Sequence, residues 1–241
     1  MKLDVAFTPD AFGKKIENAA NVAVIDVLRA SSSIITAFGH GATSVIPAVS
    51  KDEALAIGRT RDRNKILFCG EKNGLRIPGF DLGNSPGEYT REVVGGKILI
   101  FVSTNGSKMM VKAVRGKRSL LIAGFLNLSA ASARIARSGK DCLLVCSGRE
   151  GLYSLEDTVC AGMMAMEISR IFPEAVALSD EALSALVLYR HFADDLAGMA
   201  GNSLHGRYLS GLGLKKDIPL CVTPNRFDIV PLFKKGALRP D

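Results

Sequence analysis

Tryptophan is absent from the 241-residue chain and aromatics make up only 6% of it, which argues against an aromatic stacking surface for single-stranded nucleic acid. The five cysteines (Cys69, Cys142, Cys146, Cys160 and Cys221) contain no CxxC pair. An odd, scattered set suggests neither a disulfide framework nor a zinc knuckle, and fits a reducing cytoplasm. The three histidines, His40, His191 and His205, are dispersed, and only His205, in His205-Gly206-Arg207, is a catalytic candidate. No apolar run approaches the roughly 18 residues of a membrane span, and Asp4 interrupts the first apolar stretch. The expectation is a soluble, unexported, cytoplasmic protein without a membrane partner. Repeats, low-complexity tracts and runs of five or more basic residues are also missing. The 31 Lys and Arg outnumber the 24 Asp and Glu, for a net charge of +7, but the basic residues are scattered. Attraction of a small anionic substrate accounts for the excess without nucleic acid.

What is present is an alternation. Short runs rich in Val, Ile and Leu recur at 22–27, 43–47, 65–69, 97–102, 119–123 and 142–146, most without polar alternation, as strands buried on both faces of a sheet require. Between them Ser50–Arg61, Asn105–Val114 and Asn127–Ser138 have helical character, which implies βα units. After Ser147 longer helices are expected at 155–171 and 179–197, the second with Leu188, Phe192 and Leu196 on one stripe. Two strand-like pieces follow near 218–222 and 228–232. Ser85-Pro86-Gly87-Glu88 matches a capping box that opens a further helix. The expected architecture is one α/β domain over 1–241, a three-layer α/β/α sandwich whose sheet is largely parallel but mixed, with a more helical portion from about 150.

In such a sheet ligands bind outside the carboxyl ends of the strands. Those ends carry Asp26 to Ser33, Gly70-Glu71-Lys72, Ser103 to Ser107, and Ser147-Gly148-Arg149-Glu150. Glycines and hydroxyls there let backbone N–H groups approach an anion, although each junction taken alone also reads as an ordinary helix cap. The loop from Gly70 to Asn84 is long enough to be functional. Within it Arg76 could fork onto a carboxylate or phosphate, or lie solvated on the surface. Asp26, inside an apolar run, is costly unless paired or liganded. With Glu156, Asp157 and, less strongly, Glu71, it is a candidate ligand for Mg²⁺. Glu156 and Asp157, in the first turn of a helix, equally complement the helix dipole. Cys69 and Arg76 are spaced too widely for a cysteine-phosphatase loop, and neither a DxDxT nor a GxxxxGK[ST] motif occurs.

Taken together, VIDVLRASSSI, GEKNGLRIPGFDLGNSP, STNGSK, GFLNLSA and VCSGREGLYSLEDTVCAG resemble, in order and spacing, the 2-phosphosulfolactate phosphatase (ComB) family. The likeness spans roughly 22–165, with a weaker one in NSLHGRYL and the tail. Ser31, Ser103 and Ser107 stand where the family often has Thr, a swap that keeps the hydroxyl donor. The resemblance implies a Mg²⁺-dependent phosphatase converting (2R)-2-phospho-3-sulfolactate to 3-sulfolactate and phosphate, a coenzyme M biosynthesis step. A phosphatase of a related phosphorylated hydroxy acid and a non-catalytic anion-binding protein are the alternatives. The three anionic groups of the substrate would call on Arg29, Arg76 and Arg149. Arg29 with Ser31, Ser32 and Thr104-Asn105-Gly106 is the expected phosphate pocket. Asn84, Ser85, Ser107, Ser147 and Gly148 complete the expected substrate site, in which Asp26, Arg29, Glu156 and Asp157 carry the chemistry. A homodimer is the expected assembly.

Overall fold

The structure, a computed structural model, describes residues 1–15, 19–113, 118–173 and 175–241. The strands are β1 (Lys2–Ala6), β2 (Asn21–Ile25), β3 (Ser44–Ala48), β4 (Ile66–Lys72), β5 (Leu75–Arg76), β6 (Ile98–Val102), β7 (Ser119–Ala123), β8 (Cys142–Cys146), β9 (Ala177–Leu178), β10 (Pro231–Lys234) and β11 (Ala237–Pro240). The helices are α1 (Pro9–Lys15), α2 (Ala30–Gly39), α3 (Lys51–Arg59), α4 (Arg91–Val94), α5 (Gly106–Ala113), α6 (Leu128–Ser138), α7 (Leu155–Ile171), α8 (Asp180–Phe192), α9 (Leu196–Asn202), α10 (Leu204–Gly211) and α11 (Asp217–Cys221). The architecture is the expected α/β/α sandwich on a mixed sheet. Val114, expected to end the third helical segment, lies outside the described residues.

Coverage of both faces explains why the strands lack polar alternation. Along β2, Ala23 and Ile25 join Ile135 of α6 and Met164 of α7, whereas Val22 and Val24 join Phe12, Ile34 and Met110 on the other side. In β6, Leu99 and Phe101 face the α2 side while Ile100 and Val102 pack with Ala54 of α3. Helix α2 is buried from Ala30 through Phe38, as its small and apolar residues permit.

The strand order is β5-β4-β6-β3-β11-β10-β7-β2-β8-β1-β9. Strands β7, β2, β8, β1 and β9 run parallel to one another, as do β3, β6 and β4. The antiparallel hairpin β10–β11 joins the two groups, and its antiparallel pairings with β7 and β3 reverse one group relative to the other. Six inter-strand steps separate β2 from β4. The residues that follow β2, β4, β6 and β8 nevertheless meet around one cleft.

Three local expectations give way. The 218–222 piece is helix α11, because Ile218 and Cys221, three apart, both turn into the core. Pro86–Glu88 is only a single 3₁₀ turn: the Ser85 hydroxyl donates to Asp217 instead of capping, and Glu88 accepts from Gly83 N–H. The 179–197 segment stops at Phe192, where Asp195 caps a separate α9. Its inward face is Ala182, Ala185, Leu186 and Tyr189, with Leu188 and Phe192 partly buried beside them.

Helices α7 and α8 approach backbone to backbone at Gly162, where an added Cβ would lie 2.0 Å from Ala185 O. Gly162→Ala is expected to destabilise the fold by about 1–3 kcal/mol through overpacking, read as a lowered urea midpoint with an unchanged slope. An unchanged midpoint would show that the two helices can separate freely.

Candidate active site

Each wall of the cleft begins with a carboxylate tied to backbone N–H groups. After β2, Asp26 N–H donates to Ser31 Oγ (2.9 Å), and Asp26 Oδ1 accepts from Ala30 N–H (3.1 Å), holding the start of α2. At the end of β4, Glu71 accepts from Gly74 N–H (2.8 Å) and from Thr104 N–H (2.6 Å) and Oγ1 (3.1 Å), fastening the β4–β5 turn to the loop after β6. Asp157, in the first turn of α7, accepts from Val27 N–H (2.8 Å) and Gly148 N–H (3.2 Å) and so clamps the loops after β2 and β8. Its neighbour Glu156 faces His205 instead, with Oε1 3.2 Å from Nδ1.

Crowding these acids perturbs them. Burial pushes the Asp26 carboxyl up to about 6, and the charges of Glu71 and Glu156 add to that, while His205 and the Ala30 N–H oppose it. Burial, then the charges of Glu156 and Asp26, hold Asp157 well above the ordinary carboxylate range. Burial would raise Glu156 too, but the His205 bond and charge outweigh it and bring it below its ordinary value.

Positive charge enters from two guanidiniums. Arg29, buried, donates to Asp217 Oδ2 (2.7 Å) and Gly74 O (2.6 Å). Arg149 stacks on Tyr208, its guanidinium carbon 4.1 Å from the ring centroid, a cation–π contact that fixes its plane. Tyr208 is itself anchored through its hydroxyl to Asn73 O (2.9 Å), and Asn105 Oδ1 accepts from Glu150 N–H (3.0 Å).

The cleft brings together Asp26, Arg29, Glu71, Asn84, Thr104, Asn105 and Arg149 of the expected residues. Asn84 Oδ1 is buried there without a protein partner, an acceptor open to a ligand. Gly106 backs Asp26, since a Cβ there would come within 2.6 Å of Asp26 Oδ2. The remaining expected hydroxyls are not among the cleft's lining residues; four are taken by backbone or core groups, while Ser147 Oγ is buried without a partner among the described residues. Ser31 donates to Val24 O, Ser32 to Val27 O, Ser107 to Ser103 O and Ser85 to Asp217. Ser147 lines a neighbouring groove with Pro9 and Glu150, and the Gly148 N–H is given to Asp157. Arg76 is exposed and turned to Asp81 O, away from the cleft.

Sequence reasoning missed Asp217 and Tyr208, and weighted His205 too lightly. Only the likeness in NSLHGRYL pointed toward the last two. Elsewhere, at the amino ends of β1 and β8, a depression lined by Lys2, Asp4, Lys15 and Asp141 is internally neutralised, for Lys15 pairs with Asp4 at 2.7 Å.

Among the described residues no three His, Cys, Asp or Glu side chains form a ready metal cage. Mg²⁺ does not require one: it takes one or two carboxylates and completes its shell with water and phosphate oxygens. Asp26 and Glu71, both lining the cleft, supply the hard oxygen donors such an ion uses, so the donor set fits.

A carboxyl raised from 3.8 to about 6 on folding opposes folding once ionised. The penalty is absent below 3.8, grows between the two values and is complete above about 6. With a chelator present, Asp26→Asn is therefore expected to stabilise the protein by up to about 3 kcal/mol at pH 8 and by less at pH 4.5, measured by urea unfolding at both. A variant less stable than wild type at pH 8 would contradict the electrostatic account.

Known proteins resemble the chain over nearly its whole length. A family model described as 2-phosphosulpholactate phosphatase matches residues 6–236. A protein of Caldanaerobacter subterraneus named a probable 2-phosphosulfolactate phosphatase is 38% identical over 91% of this chain and 90% of its own. Proteins with the same name from Clostridium novyi and Trichormus variabilis are 37% and 36% identical, with at least 97% of each chain covered. The chain belongs to the 2-phosphosulpholactate phosphatase family.

Proposed function

We propose that this protein is a Mg²⁺-dependent phosphatase that hydrolyses (2R)-2-phospho-3-sulfolactate to (2R)-3-sulfolactate and phosphate, a step of the coenzyme M biosynthesis type. The observation that carries this reading is one cleft in which buried Asp26 and Glu71 face Arg29 and Arg149. That arrangement suits a substrate with several negative charges together with a divalent cation. Asp26 and Glu71 would hold Mg²⁺, with Glu156 and Asp157 setting the charge around them. Bound there, the ion would neutralise phosphate oxygens and lower the pKa of water.

The protein's own groups carry the rest. Arg29 presents charge-assisted donors to the transferring phosphoryl group, whose oxygens gain negative charge in the transition state. Thr104-Asn105 and the start of α5 border the same space. Water attacks phosphorus in line, the bond between phosphorus and the substrate's C2 oxygen breaks, and that oxygen takes the proton the water gives up. His205 lines the cleft with Nδ1 on Glu156, which leaves Nε2 as the ring nitrogen facing that proton transfer. Arg149, held flat on Tyr208, suits the carboxylate or sulfonate through a planar fork.

The alternative phosphatase readings differ in whether the sulfonate is read. Phosphate release from 2-phosphosulfolactate, abolished by a chelator and restored by Mg²⁺, is the expected result. Equal turnover of 2-phospholactate would broaden the substrate class, and no turnover of either would leave an anion-binding protein. Arg29→Ala is expected to lower kcat by about two to three orders of magnitude, whereas Arg149→Ala mainly raises KM.

The cytoplasm is the proposed location, in keeping with five buried, unpaired cysteines. No helix among the described residues is long and apolar enough to cross a membrane. A homodimer is the proposed assembly, and light scattering at two concentrations checks it: a constant monomer mass would reject it.

A further inference from the structure

Asp217 has no counterpart in the sequence argument, yet it is wholly buried and lies 188 positions from its ion-pair partner. Its Oδ2 accepts from Arg29 Nη1 at 2.7 Å, and its Oδ1 accepts from the Ser85 hydroxyl. Arg29 Nη2 is bound separately to Gly74 O at 2.6 Å. A guanidinium has five N–H donors in one rigid plane, and these two bonds use only two of them while fixing that plane. Arg29 itself is 3% exposed and lines the cleft.

Such an arrangement differs from a stability ion pair in what it leaves over. The carboxylate takes one N–H, a backbone carbonyl takes another, and three donors of a guanidinium that lines the cleft are left without a protein partner among the described residues. Ser85 occupies the other oxygen of Asp217, so the carboxylate cannot rotate without losing a buried bond. We propose that Asp217 is a positioning residue that aims the Arg29 guanidinium at the phosphoryl group, with Ser85 locking its orientation. Helix α11 and the Asn84-Ser85 segment thus belong to the catalytic apparatus without touching substrate through Asp217. The inference rests on the assignment of Arg29 to the phosphoryl group made above.

Two readouts on the same preparations test it: steady-state phosphate release from 2-phosphosulfolactate, and calorimetric titration of inorganic phosphate. The proteins are wild type, Arg29→Ala, Asp217→Ala, Asp217→Asn and the double variant Arg29→Ala/Asp217→Ala. Asp217→Ala is expected to lower kcat about 30- to 100-fold with KM changed less than about 3-fold. Asp217→Asn, which still offers an oxygen to Arg29, is expected to recover all but about 5-fold of that loss and to bind phosphate more tightly than Asp217→Ala. If Asp217 acts through Arg29, the double variant is no slower than Arg29→Ala alone. Multiplying effects, or full kcat and phosphate affinity in folded Asp217→Ala, would overturn the proposal. Should Asp217→Ala fail to fold, Asp217→Asn carries the comparison: a loss of about 5-fold that disappears in the Arg29→Ala background supports the proposal, and one that persists overturns it. If Arg29→Ala itself leaves turnover and phosphate binding intact, the assignment of Arg29 fails first and the inference falls with it. If Arg29→Ala is slow and the Asp217 variants act independently of it, only the inference fails.

Discussion

The structure depends on holding four carboxylates, Asp26, Glu71, Glu156 and Asp157, close together in a place largely shut off from water. Ionised groups so buried are tolerated only when hydrogen bonds or opposite charges answer them. Here the answer comes mainly from backbone N–H groups, so these acids fasten the loops around the cleft to one another. Glu71 closes the space between β4 and β6, Asp157 that between β2 and β8, and Asp26 the start of α2. What these bonds leave unanswered is the burial of Asp26, with the charges of Glu71 and Glu156 adding to it, and that unfavourable charge is what a cation in the cleft would relieve.

The fold makes this convergence possible through an unusual seam. A sheet with every strand parallel would align its carboxyl ends directly, but here the β10–β11 hairpin reverses one half against the other. The residues after β4 and β6 nevertheless reach the same cleft as those after β2 and β8. Helix α2, buried all round, lies between the halves, so the residues at its start, Asp26 to Arg29, are reached by loops from both. The later helices close the arrangement: α10 contributes His205 and Tyr208, and α11 contributes Asp217.

Much of this was legible in the residues. Strands buried on both faces have to be continuous apolar runs, so β2, β6, β7 and β8 announced themselves, and α7 was expected at the bounds it has. Asp26 stood out because an acid inside VAVIDV needs a reason. The serines were misleading because a hydroxyl that caps a turn and one that cradles an anion have the same local sequence. In Ser31, Ser32 and Ser107 the hydroxyls bond the backbone of their own turns. Arg76 failed for a similar reason: a two-residue hairpin strand places it on the outer side of a loop whose inner side carries Gly74.

Patterning over a few residues was enough for the strand-and-helix alternation and for the strand-end residues Asp26, Arg29, Glu71 and Arg149 that the cleft gathers, because burial periodicity and helix starts are local properties. Which of those groups meet was a matter of tertiary geometry. Glu156 and Asp157 are adjacent in sequence, yet one faces a histidine and the other two backbone amides. Arg29 finds its carboxylate at Asp217 and not at nearby Asp26. Such pairings follow from the strand order and the docking of α10 and α11, long-range relations that no short window of residues contains.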